Sequence, residues 1–177
     1  MRIAAHVFLA YALVLVLAAV WRQLPIARAA PDVVALVAVY LGLTARSRLA
    51  PPTAGAVVLG YLGDLLIGTP TGLLSLTAGL VCIVGHLVHR RLLVRGTLFT
   101  MAFSFFAGLF AGLVVLVIRL GSGGLPGSTW SELFALFFSA VLTGLVGPVV
   151  FRLCRIIDAR FARTRRERDA PIGGGIR

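Results

Sequence analysis

The sequence predicts an all-α integral membrane protein with six transmembrane helices. Three observations carry this. Hydrophobic residues make up 59% of the 177 residues, mean hydropathy is +1.01 and only 13% of residues are charged, against about a quarter in an ordinary soluble domain. The charge-free runs include several of the length that crosses a bilayer. The basic residues are all arginine and fall mainly on one side of those runs. A soluble globule of this size leaves much of its area wet and cannot hide so much apolar surface. Composition therefore excludes an ordinary soluble enzyme, a disordered chain and a disulfide scaffold.

Residues 3–20 form the first span, between Arg2 and Trp21-Arg22. Residues 32–44 form a short second span opened by Pro31-Asp32, since proline and an early carboxylate both suit a first helical turn. Residues 52–67 and 73–88 are the third and fourth spans, separated by Gly68-Thr69-Pro70-Thr71-Gly72. Such short, interrupted segments are tolerated where neighbouring protein buries them. Residues 97–118 and 133–151 meet the length requirement of about 20 residues outright. Between them, residues 121–128 form an outer loop, flexible by its glycine content, and Trp21 and Trp130 take interface positions. Residues 1–151 thus form a transmembrane domain, 152–169 a basic amphipathic cytoplasmic extension and 170–177 a disordered tail.

Arginine accumulates in cytoplasmic loops. With both termini inside, fourteen of the seventeen arginines lie on the cytoplasmic side, and only Arg22, Arg28 and Arg119 lie outside. Five or seven spans would put Arg2 and the tail on opposite sides. A signal peptide ending at Ala27-Arg28-Ala29 is the alternative and would leave five spans. Its apolar run is longer than the usual signal core, and the site lies well past Trp21-Arg22.

Asp64 is the residue that demands an explanation. It lies in an apolar segment, and a carboxylate at membrane depth costs about 2.5–3.5 kcal/mol on insertion scales, so it normally faces protein or has a partner. Helical spacing puts Ala56, Gly60, Asp64 and Gly68 on one stripe, where small residues admit a close neighbour. Asp64 is then a buried polar pin or an ion or ligand site, or else a residue near the outer end of its helix that is hydrated or caps the turn at Thr69-Pro70. Asp32 and Glu132 sit in first turns and are read as structural.

His6, His86 and His89 lack metal-site spacing. Cys82 and Cys154 read as small buried apolar residues. No nucleophile elbow, zinc-protease or phosphate-loop motif occurs, and no cofactor is expected. Ala107, Gly108, Ala111 and Gly112 are candidates for a helix–helix interface, internal or with a partner. Phe99, Phe103, Phe105, Phe106 and Phe110 crowd the same helix. In the extension, Arg152, Arg155, Arg160, Arg163, Arg165 and Arg166 accompany apolar Phe151, Cys154, Ile157 and Phe161 at near-helical spacing. That pattern predicts docking to anionic lipid on the inner leaflet or to a cytoplasmic protein. Nucleic acid is not expected as a partner, since no stacking platform or nucleic-acid motif accompanies the charge.

The stretch from Gly60 to Leu73 resembles the signature of the bacterial rod shape-determining MreD family: a glycine-rich helix, an intramembrane Asp and then Gly-x-Pro-x-Gly. The matching positions are Gly60, Asp64, Gly68, Pro70 and Gly72. Pro31-Asp32 opening a short apolar helix is also similar, whereas the first span and the tail carry no distinctive match. The resemblance implies a fold like the S-component of energy-coupling-factor transporters. It further implies a non-enzymatic inner-membrane subunit that binds an MreC-like protein, and through it MreB, RodA and the elongation transpeptidase, in lateral peptidoglycan synthesis. The alternative is a small-molecule-binding membrane subunit of a vitamin or metal transporter, which would need a pocket of convergent polar groups.

Overall fold

The computed structural model describes residues 2–21, 30–45, 49–68, 70–91, 96–121 and 129–168. These contain six α-helices and, among the described residues, no strand: α1 (Arg2–Trp21), α2 (Val33–Thr44), α3 (Ala50–Ile67), α4 (Leu73–Arg91), α5 (Thr97–Gly121) and α6 (Thr129–Arg168). The first five predicted segments each match one helix to within three residues, and the sixth, 133–151, lies inside the longer helix α6. The Ala27-Arg28-Ala29 pattern, Arg22, Arg46, Arg48 and Arg95, the loop at 122–128 and the tail from 169 lie outside the described residues.

α2 is the hub. Its ten residues from Val33 to Gly42 are all buried, and each of the other five helices packs on it. A helix apolar on every side is stable only where it is covered on every side. At 1.5 Å per residue its 12 residues reach only about 18 Å, well short of the hydrocarbon thickness of about 30 Å. Glycines set how closely it is approached. A Cβ on Gly42 would strike the carbonyl oxygen of Cys82, and one on Gly85 would lie 3.1 Å from that of Val39. The α2 and α4 backbones therefore nearly touch at two places.

α5 and α6 pair along their length. Two apolar stretches, Thr97–Gly121 and Trp130–Arg160, are long enough to cross a membrane, and only 17% and 28% of an apolar 18-residue segment within each is buried. A soluble protein's core helix would be mostly covered. Here Leu98, Phe106, Val117, Trp130, Phe134 and Phe138 stand exposed, an apolar surface suited to lipid or a partner and not to water. The predicted junction at 151/152 is not a break. α6 runs on as one 40-residue helix with Pro148 inside it, where the missing N–H falls opposite Gly144.

Candidate functional site

The five motif positions form one device at the turn between α3 and α4. α3 ends where Gly68 takes the left-handed conformation (φ 72°) and its N–H bonds to the Asp64 carbonyl at 3.0 Å. The chain reverses through Pro70, whose carbonyl accepts from Leu73 N at 3.2 Å. Gly72 (φ 103°) then stands just before α4, its carbonyl accepting from Leu76 N at 3.0 Å. A helix N-terminus has unpaired N–H groups that an N-cap side chain normally satisfies. Gly72 has no side chain, and Asp64 acts in its place from the neighbouring helix. Its carboxylate accepts from Gly72 N (2.9 Å), Leu74 N (3.1 Å) and Ser75 N (3.4 Å). The negative charge sits at the positive end of α4.

Asp64 is 1% exposed, so it is a buried pin and not a hydrated residue, and the capping expected of a helix-end carboxylate is realised across the turn, at the start of α4. Gly60 makes the arrangement possible. A Cβ there would lie 2.6 Å from Leu74 C and from Ser75 Cα, so α4 can seat against α3 only over a glycine. Ser75 returns the contact, its Oγ donating to Val57 O at 3.1 Å. Ala56, one turn before Gly60, is fully buried on the same stripe.

Asp32, at the same end of the bundle, precedes α2 as its N-cap; it is not in the first turn. Its Oδ1 accepts from Ala35 N at 2.8 Å. Its own N–H donates to Thr143 Oγ1 at 2.9 Å, and Thr143 Oγ1 donates to Ser139 O at 2.7 Å, which ties the start of α2 to α6. Glu132 does occupy the first turn of α6.

The small-residue stripe of α5 faces α6. A Cβ on Gly108 would lie 3.0 Å from the Thr143 side chain, and one on Gly112 2.8 Å from Leu136 Cγ. Ala111 is fully buried and Ala107 packs against the core. Of the two readings of this stripe, internal packing is the one realised. Phe103 and Phe110 also pack on the core, Phe105 meets Phe137 edge-on at 6.0 Å, and Phe106 is exposed. Beside the stripe, α5, α6 and Asp32 line an open pocket of about 160 Å³ whose polar lining is Asp32, Arg119, Glu132 and Ser139.

At the other end of α2 lies a polar cluster that sequence reasoning missed. Tyr40 OH donates to Asp158 Oδ2 at 2.8 Å, and His6 Nε2 lies 3.3 Å from Asp158 Oδ1. His6 is fully buried and stacks on Tyr40, which meets Phe151 edge-on. Three helices, α1, α2 and α6, converge here. One signal existed in the sequence. Asp158 stands seven residues after Phe151 and four after Cys154, on the apolar side of the extension and away from most of its arginines.

Among the described residues no group of three His, Cys, Asp or Glu could hold a metal. Cys82 and Cys154 are both buried free thiols. Arg152, Arg155 and Arg160 are exposed, and of Arg163, Arg165 and Arg166 only the helical backbone is described. Chemically, the site joins helices: the carboxylate set deepest in an apolar segment is engaged by three main-chain amides. No protein-family model, curated protein or solved structure matches this chain.

Proposed function

We propose that this chain is a non-enzymatic scaffold subunit of the MreD type. It crosses the bacterial inner membrane six times with both termini in the cytoplasm and binds an MreC-like protein of the cell-elongation complex. MreB, RodA and the elongation transpeptidase are its indirect partners in lateral peptidoglycan synthesis. One observation carries this reading. Gly60, Asp64, Gly68, Pro70 and Gly72, the positions of the family resemblance, work together as a single helix-pairing device with Asp64 bonded to backbone amides. A motif built that way supports architecture over catalysis. The lengths of α1, α3 and α4, at 20, 18 and 19 residues, and the burial of short α2 are compatible with six crossings. Co-expression with an MreC-like protein and affinity purification from membranes tests the proposal. Co-elution is expected, and its absence from detergent extracts and from native-lipid particles alike counts decisively against it.

A small-molecule-binding role is the second reading, favoured by the pocket lined by Asp32, Arg119 and Glu132. A ligand present at about a hundred times its Kd stabilises the folded state by about 2.7 kcal/mol. Thermal-shift screening with vitamins and metal ions therefore separates the two readings.

A further inference from the structure

We infer that the extension of α6 is a docking rail for an acidic helix of a cytoplasmic partner and does not lie on the inner leaflet. The inference rests on the membrane-spanning orientation proposed above. Its first support is direction. α6 is continuous to Arg168, and its course is fixed as far as Asp158 by the bonds to Tyr40 and His6 and by the complete burial of Cys154. Laying the next ten residues on the leaflet would require a bend that the helix does not contain.

Distance follows from direction. Trp130 is exposed beside Glu132 in the first turn, which places the start of the hydrocarbon near Leu133. About 20 residues later the helix leaves it, near Arg152. At 1.5 Å per residue, Arg166 stands about 21 Å beyond Arg152. The headgroup layer takes about 5–7 Å of that. The remainder exceeds the Debye length of about 8 Å at physiological salt, so the field of an anionic leaflet barely reaches Arg163 and Arg166.

The pattern of residues names the partner. Positions 152, 155, 159, 162 and 166 follow alternating steps of three and four, the spacing at which one helix meets another along a seam. They read Arg, Arg, Ala, Ala, Arg, with Arg163 flanking. Arg152, Arg155 and Ala159 are exposed, turned away from the face that buries Cys154. Alanine at two seam positions leaves room for a second backbone, and the exposed Arg152 and Arg155 present planar guanidinium forks suited to carboxylates, with Arg166 at the corresponding register position on the helix backbone. Seven arginines stand in 152–168 against Asp158 and Glu167, and Asp158 faces the bundle. The complementary surface is a helix with glutamate or aspartate about three turns apart around a small apolar centre.

The test uses the full chain in phosphatidylcholine nanodiscs and a labelled synthetic helix of that acidic pattern, with a scrambled peptide of the same composition as control. Two double variants carry equal charge change, Arg163→Glu/Arg166→Glu on the seam and Arg165→Glu/Arg168→Glu off it; circular dichroism checks that both remain helical. The patterned peptide should bind at least about tenfold tighter than the scrambled one, and the seam variant alone should lose that preference. Equal affinity for the two peptides overturns the proposal, as does equal weakening by the two variants. A leaflet-bound extension is read in phosphatidylglycerol nanodiscs: if Arg163→Cys becomes shielded there from a water-soluble maleimide, the rail does not exist. Loss of MreC-like co-elution, a separate measurement, would remove the scaffold reading without touching this one.

Discussion

Replacing Asp64 with Asn removes the charge and one acceptor while nearly keeping the shape. In the wild type, Oδ2 takes Gly72 N and Ser75 N, and Oδ1 takes Leu74 N. If the Asn carbonyl keeps the Oδ2 position, its amide group points a donor at the Leu74 donor, leaving a buried N–H unpaired at about 1–3 kcal/mol. Losing the negative charge at the start of α4 removes a further 0.3–1 kcal/mol or so. The lower desolvation of a neutral amide offsets part of this. The balance is about 2 kcal/mol, or about 4–8 °C in Tm for a chain of this size. The protein carries its own reporters, because Cys82 and Cys154 are fully buried free thiols. A thiol-reactive fluorogenic dye followed on heating in detergent reads their exposure directly. Asp64→Asn should lower the midpoint and Asp64→Ala, which abandons all three amides, should lower it further. An unchanged midpoint in both variants would refute the pin.

Gly60→Ala should cost about 1–3 kcal/mol, because the new methyl group meets α4 backbone and not a yielding side chain. Combined with Asp64→Asn, the loss in the same dye assay should fall short of the sum, since both act on one contact. Tyr40→Phe removes a hydrogen bond to a charged acceptor and should cost about 1.5–3 kcal/mol; amide exchange should rise first at residues 155–160. Asp32→Ala should unpair Ala35 N at the start of α2, for about 1 kcal/mol, with faster exchange at residues 33–36.

Helix positions were readable because their signal is local. Each predicted segment ends where an arginine, an acidic residue or a Gly/Pro cluster interrupts an apolar run; α3 ends and α4 begins at the predicted Gly/Pro cluster, whereas α4 runs on to Arg91 and α6 to Arg168, because arginine is itself a good helix former. The role of α2 was not readable in the same way. Its 12 residues looked like a compromised crossing, but shortness follows from being covered by five neighbours, a property of the assembly and not of the segment. Asp64 stood between these cases. Helical spacing correctly set Ala56, Gly60 and Asp64 on one face. The groups that Asp64 binds lie eight, ten and eleven residues on, across a chain reversal, where periodicity carries no information.

The His6–Tyr40–Asp158 cluster extends this reasoning to the whole bundle. Tyr40 and Asp158 are 118 residues apart, and no local pattern links them. Their position nonetheless makes physical sense beside the other polar contacts. In hydrocarbon, lipid tails are as apolar as leucine, so apolar side chains alone give helices little preference for one neighbour over another. Backbone approach at glycines and a few satisfied polar groups must supply that preference. In this chain Asp64 fixes α4 to α3, the Asp32–Thr143 bond fixes α6 to the start of α2, and Asp158 fixes α6 and α1 to its end. α6 is thereby held at both ends of the hub. Its arginine-bearing continuation therefore starts from a defined position and direction, which the proposed docking of a partner helix requires.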